Sequence, residues 1–265
     1  MDFKYLCSDL DGTLLSTKND VSEFTIEQFQ RLKEQLKIIL VSARMPKSMT
    51  YVQERLGISE NPLVSYNGAL VLAGEKKVNN IMIPVEVLRE LYGIARGFDV
   101  TLGLYSYDEW CVQETSLRVK KETFNTKAEP FFENTTDTLA RWESQNQGAH
   151  KVMLMGTKAQ LDALEKPLNE QLGEALIDYR SSDTFSELAP AGTSKLLGIA
   201  SLLEAGHSFR DVLAFGDNYN DLDMLAEAGY GVAVGNAKPE VKEAANALTH
   251  SNTENGVAHF LKAHF

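Results

Sequence analysis

Cysteine is almost absent from this chain: its 265 residues include only Cys7 and Cys111. Two thiols and no CxxC pair cannot build a disulfide framework, so a reducing compartment is expected. Long apolar runs are missing as well. The longest clean one, Ile38 to Val41, falls far short of the roughly 20 residues that cross a bilayer. The opening MDFKYLCSDL has no basic-then-apolar leader. Together these absences predict a cytoplasmic protein with no membrane contact. Positive charge is in deficit, with 26 Lys and Arg against 37 Asp and Glu and a formal net charge of −11. That balance argues against nucleic acid as a partner, while a small anion can still be held by a metal or a well-placed cation. The five histidines, His150, His207, His250, His259 and His264, are scattered without ligand spacing, and no zinc site is expected. Gly229, Gly231 and Gly235 lack the spacing and the strand-to-helix turn of a dinucleotide fingerprint. Repeats and low-complexity tracts are absent too.

What is present is ordinary in bulk, 43% hydrophobic and 24% charged, and long enough to bury a sizeable core. The informative stretch is Phe3 to Leu15. Phe3, Tyr5, Leu6 and Cys7 form a short apolar run suited to a strand buried on both faces. It ends at Ser8, and Asp9 and Asp11 follow, with Gly12 permitting a sharp turn. Two carboxylates held that close repel each other, so one must take a proton or a cation must sit beside them.

Downstream, Ser22 can cap a helix carrying Ile26, Phe29, Leu32 and Leu36 on one face, and Ile38 to Val41 is a second buried strand ending in Ser42-Ala43-Arg44. Pro46 opens another helix, with Met49, Val52 and Leu56 inward. Leu63 to Ser65 is a third strand, running into Tyr66-Asn67-Gly68. Alternation of strand and helix predicts an α/β fold: a Rossmann-like parallel sheet with helices on both faces. The rhythm breaks after a hairpin turning at Gly74, and an α+β block follows. It comprises a helix over 85–96, two strands between 101 and 112, a helix over 139–147, a strand over 151–155, a helix over 158–172 and two closing strands. These features predict a core domain in two parts, 1–82 and 189–265, interrupted by an inserted α+β domain at 83–188. The alternation then returns: a helix capped by Thr193 or Ser194 and running to Leu203, a strand over 212–215, and a strand over 230–234. Within the insert, Tyr105, Tyr107 and Trp110 are candidates for a pocket lining, with core packing as the alternative.

In an open parallel sheet, ligands gather beyond the carboxyl ends of the strands. Asp9 and Asp11, Ser42, Asn67, and Asp217 with Asn220 and Asp221 all fall at such ends, and Lys195 opens a helix. So many acids at one edge call for a hard divalent cation with oxygen ligands, Mg²⁺ first among them, with positions left for water and phosphate.

Asp9-Leu10-Asp11-Gly12-Thr13, Ser42, Lys195 and Gly216-Asp217-Asn218-Tyr219-Asn220-Asp221, in that order, resemble the four motifs of haloacid dehalogenase superfamily phosphatases. The insert between the second and third motifs resembles the cap of the Cof-type subgroup. The resemblance runs through the Gly231 to Ala237 stretch. It implies Asp9 as nucleophile and Asp11 as general acid and base. It also implies Mg²⁺ on Asp9, Asp217 and the main-chain carbonyl of Asp11. Ser42, Lys195 and Asn220 would meet the phosphate, and Thr13 and Asp221 would support them, Asp221 by orienting Lys195 or by binding a metal-bound water. Arg44 and Asn67 divide between substrate contact and structural hydrogen bonding. The implied activity is hydrolysis of small phosphorylated metabolites, sugar phosphates first and phosphorylated cofactors such as pyridoxal phosphate or FMN second. A phosphomutase and a non-catalytic phosphate-binding protein are the alternatives. Two departures stand out: Ser42-Ala43-Arg44 replaces the usual Thr-Gly-Arg, and Leu196-Leu197 follows Lys195 where Gly is common.

Overall fold

The computed structural model describes residues 3–17 and 20–265. By packing, the chain divides into two compact units, one formed by the chain up to Asn79 with Ser194–Phe265, the other by Asn80–Thr193. In chain order the first part of the core carries β1 (Tyr5–Asp9), α1 (Glu23–Leu32), β2 (Lys37–Val41), α2 (Lys47–Leu56), β3 (Leu63–Ser65), β4 (Leu70–Ala73) and β5 (Lys76–Asn80). The insert follows with α3 (Val85–Arg96), β6 (Thr101–Ser106), β7 (Glu109–Val112), α4 (Leu117–Thr126), β8 (Phe131–Phe132), α5 (Thr135–Ser144), β9 (Lys151–Met155), α6 (Lys158–Leu172), β10 (Leu176–Ser182) and β11 (Phe185–Pro190). The core resumes with α7 (Lys195–Ala200), β12 (Val212–Gly216), α8 (Leu222–Glu227), β13 (Tyr230–Ala233), α9 (Pro239–Ala244), β14 (Ala247–Leu248) and α10 (Gly256–His264). Among the described residues no helix is long and apolar enough to cross a membrane.

The core is an eight-stranded sheet ordered β14-β13-β12-β1-β2-β3-β4-β5. Its first six strands run parallel, with Cys7 level with Ala214 on one side and Ile39 on the other, and β4 turns back antiparallel to β3. β1 is central and all five of its residues are buried, as its unbroken apolar run requires. Helices cover both faces, and their inward rows, Phe29 and Leu32 from α1 and Met49, Val52 and Leu56 from α2, join one core with the strands. Because β1, β2, β3 and β12 are parallel, their carboxyl ends emerge at one edge of the sheet.

The insert has its own six-stranded sheet, ordered β10-β11-β9-β6-β7-β8, and its own core. Leu88 and Leu91 of α3, Leu139 and Trp142 of α5, and Leu161 and Leu164 of α6 pack on Leu102, Leu104, Val152 and Leu154. Tyr105 and Trp110 project from the other face of this sheet, both buried and stacked at 5.4 Å and 8°, with the Lys151 ammonium 4.5 Å above Tyr105. Trp110, though buried, lines a surface pocket of about 390 Å³ with Tyr107, which lies partly exposed against His150.

Several sequence expectations shift by a turn or less. By packing the insert unit spans Asn80–Thr193, where the sequence reading has 83–188. The helix placed at 139–147 is Thr135–Ser144, because the Asn134 side chain accepts the Thr136 N–H and so starts the helix early. The helix capped by Ser194 stops at Ala200, where the Ser201 hydroxyl donates to the Gly198 carbonyl and the Leu202 N–H donates to the Ile199 carbonyl. Among elements with no sequence expectation is α4, whose polar composition hides its helical face.

Phe215, fully buried in β12, meets Phe260 of α10 edge-on at 5.5 Å. Phe215→Ala should cost about 3–5 kcal/mol, read as a lowered midpoint for the core transition in urea.

Candidate active site

Asp9 ends β1 in an extended conformation with its side chain buried. The chain then makes a wide turn over Leu10–Leu14, closed by the Leu15 N–H on the Leu10 carbonyl at 3.0 Å. Gly12 occupies the left-handed region at φ 82°, and a Cβ there would lie 2.5 Å from Asp217 Oδ2. Only glycine fits both the backbone and the approach of that carboxylate. Thr13 Oγ1 donates to Asp217 Oδ1 at 2.8 Å, so the threonine holds the second acid to the first loop.

Lys195 opens α7, whose first turn is fixed by the Ser194 hydroxyl accepting the Leu197 N–H at 3.1 Å. Its ammonium, 1% exposed, donates to Asp9 Oδ1 and to Asp221 Oδ1, both at 2.6 Å. Asp221 is wholly buried, and its other oxygen accepts the N–H groups of Asp217 and Asn218 at 2.9 and 3.0 Å. A Cβ at Gly216 would strike the Asp221 side chain at 2.5 Å, so the loop after β12 closes around that carboxylate only with glycine there.

Asp9, Asp217 and Asp221 each bring an oxygen within 4.8 Å of the others. Three carboxylates face one ammonium, so the group carries surplus negative charge. Burial, with Asp221 and Asp217 adding repulsion, pushes the Asp9 carboxyl well above its usual range against the pull of Lys195. Burial and Asp221 push Asp217 up to about 6. Burial disfavours the Lys195 ammonium, but Asp221 and Asp9 outweigh it and hold the lysine above its ordinary value. An all-oxygen, electron-rich group of this kind fits a hard divalent cation. Within it Asp221 is already committed through both oxygens, which leaves Asp9 and Asp217 as the carboxylates with free ligand capacity.

The Asp11 side chain stands apart from this group. It is 52% exposed, and both its oxygens lie in the fork of Arg44, Nε to Oδ2 and Nη2 to Oδ1, each at 2.7 Å. Arg44 is itself buried and braced on α2 by the Tyr51 hydroxyl at 3.2 Å and the Ser48 carbonyl at 3.4 Å. Its charge therefore holds Asp11, and Tyr51 is a supporting residue that spacing did not single out. The only signal was its place one turn beyond Ser48 on the helix that opens at Pro46.

Ser42 is buried at the end of β2, where its hydroxyl accepts the Arg44 N–H at 3.2 Å and its carbonyl accepts the Asn67 N–H at 3.0 Å. Asn67 and Tyr66 both have positive φ, 53° and 52°. The Asn67 side-chain oxygen accepts from Asn220 Nδ2 at 3.0 Å. The loops after β2 and β3 are thus joined by main-chain bonds, and those after β3 and β12 by side chains. Asn236, quoted in the sequence motif but given no role there, donates to the Gly12 carbonyl at 2.8 Å and steadies the first loop.

A family model described as haloacid dehalogenase-like hydrolase matches residues 6–261. The 5-amino-6-(5-phospho-D-ribitylamino)uracil phosphatase YitU of Bacillus subtilis is 29% identical over 276 residues, covering 97% of this chain and 96% of its own. The pyridoxal phosphate phosphatase YbhA of Escherichia coli is 29% identical over 274 residues, covering 100% of this chain and 99% of its own. A haloacid dehalogenase-like hydrolase of Bacteroides thetaiotaomicron matches in three dimensions with a TM-score of 0.89 at 31% identity, over 99% and 100% of the two chains.

The raised Asp217 carboxyl sets a pH signature. In metal-free protein the folded state holds this proton from the ordinary carboxylate value of 3.8 up to about 6, where the unfolded chain has lost it. Its contribution to stability is full below that window and disappears as the pH rises through it. The melting temperature in chelator should fall across that window for the wild type and change less for Asp217→Asn, and added Mg²⁺ should restore the wild type at the upper end.

Proposed function

The chain belongs to the haloacid dehalogenase-like hydrolases, and from that premise we propose that it is a Mg²⁺-dependent phosphatase that cleaves small phosphomonoesters through a phosphoryl group carried on Asp9. The observation that carries this reading is the buried ammonium of Lys195 shared at 2.6 Å by Asp9 and Asp221, with Asp217 alongside. Lys195 orients the Asp9 carboxylate through Oδ1 and leaves Oδ2 for attack on phosphorus. As the new bond from Asp9 forms, the ester P–O bond breaks and the leaving alcohol takes a proton from Asp11. A water then attacks the same phosphorus, passes its proton to Asp11, and releases phosphate and free Asp9. Bound to Asp9, Asp217 and the main-chain carbonyl of Asp11, the cation would supply positive charge against the phosphoryl oxygens. Lys195, the Ser42 hydroxyl and Asn220 add donors around the group in transfer.

Arg44 acts through Asp11. With both oxygens in the guanidinium fork, Asp11 is placed but engaged, and proton donation requires it to turn out of the fork as substrate arrives. Arg44 is therefore a positioning residue. Sugar phosphates and phosphorylated cofactors are the proposed substrate class, and the relatives named for pyridoxal phosphate and for a phosphoribitylamino-uracil support small phosphorylated metabolites generally.

Phosphate release across a panel of phosphomonoesters, with Mg²⁺ or with chelator, tests the reading. Turnover should need the metal and drop to background in Asp9→Asn. Metal-independent turnover, or an active Asp9→Asn, would reject it. Arg44→Ala should lower kcat by about 10²-fold or more with little change in KM, and guanidinium in solution should restore part of the loss. A change confined to KM would instead make Arg44 a substrate ligand.

A further inference from the structure

The wide turn after β1 is held by two side chains from the far end of the chain. Asn236 Nδ2 donates to the Gly12 carbonyl, and Asn252 Nδ2 donates to the Leu15 carbonyl, each at 2.8 Å. The two asparagines are themselves joined, the Asn252 N–H donating to Asn236 Oδ1 at 2.9 Å. A carbonyl only accepts and a main-chain N–H only donates, so both ends of the Asn236 amide are assigned by their partners.

The loop that carries Asn236 also holds the second acid. Two residues on, the Lys238 N–H donates to the main-chain carbonyl of Asp217 at 2.9 Å. Thr13, next after the carbonyl that Asn236 holds, donates to the Asp217 carboxylate at 2.8 Å. These links close a circuit: Gly12 and Thr13 to the Asp217 side chain, the Asp217 main chain to Lys238, and Asn236 back to Gly12. The circuit is backed by the loop after β14. There the His250 carbonyl accepts the Gly235 N–H at 3.0 Å, and a Cβ at Gly235 would lie 2.9 Å from the Ser251 nitrogen. Asn236 is exposed, so its hydrogen bonds compete with water and add little to folding stability. What they fix is where the first loop stands relative to Asp217.

We propose that Asn236 is a positioning residue that sets the spacing of the Asp9 loop and Asp217 and so tunes the site toward Mg²⁺, an inference that rests on reading these acids as metal ligands. Mg²⁺ demands near-octahedral oxygen ligands at about 2.0–2.1 Å, whereas Ca²⁺ takes roughly six to eight at about 2.3–2.6 Å in flexible arrangements. Drift of Asp217 from the first loop therefore costs Mg²⁺ more than Ca²⁺. A change of charge alone shifts both ions in the same direction. Groups that orient ligands without touching the metal commonly govern affinity in this way.

The test titrates Mg²⁺ and Ca²⁺ by calorimetry into the full chain and into Asn236→Ala, Asn236→Asp and Asp217→Asn. Asn236→Ala should bind Mg²⁺ about 10-fold more weakly and Ca²⁺ less than about 3-fold more weakly. Asn236→Asp keeps the acceptor for Asn252 and loses the donor to Gly12. Its added negative charge favours both ions, so a fallen preference for Mg²⁺ over Ca²⁺ in this variant too can only come from the lost donor. A preference unchanged in either Asn236 variant overturns the proposal, even where both ions bind more weakly. Asp217→Asn separates this inference from the reading beneath it. Mg²⁺ affinity equal to wild type in Asp217→Asn removes the metal reading and the inference together. Mg²⁺ lost in Asp217→Asn, with the preference unchanged in the Asn236 variants, removes the inference alone. Melting temperatures in chelator, close to wild type for substitutions at this exposed position, show that the fold is intact.

Discussion

The candidate site depends on one buried charge. Lys195 Nζ is removed from solvent and shared by Asp9 and Asp221, two carboxylates buried along with it. Attraction between opposite charges has to offset the loss of hydration of all three, and it does so only because further donors are supplied. The Asp217 and Asn218 amides complete Asp221, and Thr13 completes one oxygen of Asp217. Even so the group is short of positive charge, and the carboxyls of Asp9 and Asp217 are raised, by burial first and by repulsion from Asp221 after it. A site poised in this way gains from any arrival that is positive or that shares its negative charge with a cation.

The scaffold concentrates these groups by repeating one device. Four of the parallel strands, largely apolar and buried, each bring a polar side chain to the edge, Asp9 from β1, Ser42 after β2, Asn67 after β3 and Asp217 after β12. Loops from separate strands are then tied together by short polar links, Asn220 to Asn67 and Asn236 to Gly12. Strands buried on both faces cannot slide without exposing their cores, so the loop ends inherit the stiffness of the sheet. Asp11 is held differently, by an arginine anchored on a helix, so its carboxylate stands apart from the buried group around Lys195.

The inserted unit supplies its own polar balance. Arg141 links Glu109 and Glu133, and Lys151 pairs with Glu187 over the Tyr105 ring. Its aromatic residues illustrate why a strand pattern does not separate a pocket lining from packed core, since Trp110 is buried and still lines a surface pocket with Tyr107. Tyr105 and Trp110 alternate in sequence as surface residues of a sheet would, yet they are buried against each other. Alternation says only which face a side chain is on, not what later packs over that face.

Sequence by itself determined the α/β alternation, the apolar β1 ending at Asp9, the polar strand ends and the residues of the acid-and-lysine group. These are local properties: runs of apolar residues, spacing, and the glycines that sharp turns require. Tertiary structure alone decided that Arg44 grips Asp11, that Asp221 spends both oxygens within the protein, and that His250, His259 and His264, separate in sequence, share one pocket. Those outcomes depend on which of several competing partners a charged or polar side chain meets. That choice is made only when distant segments pack together and water is excluded between them.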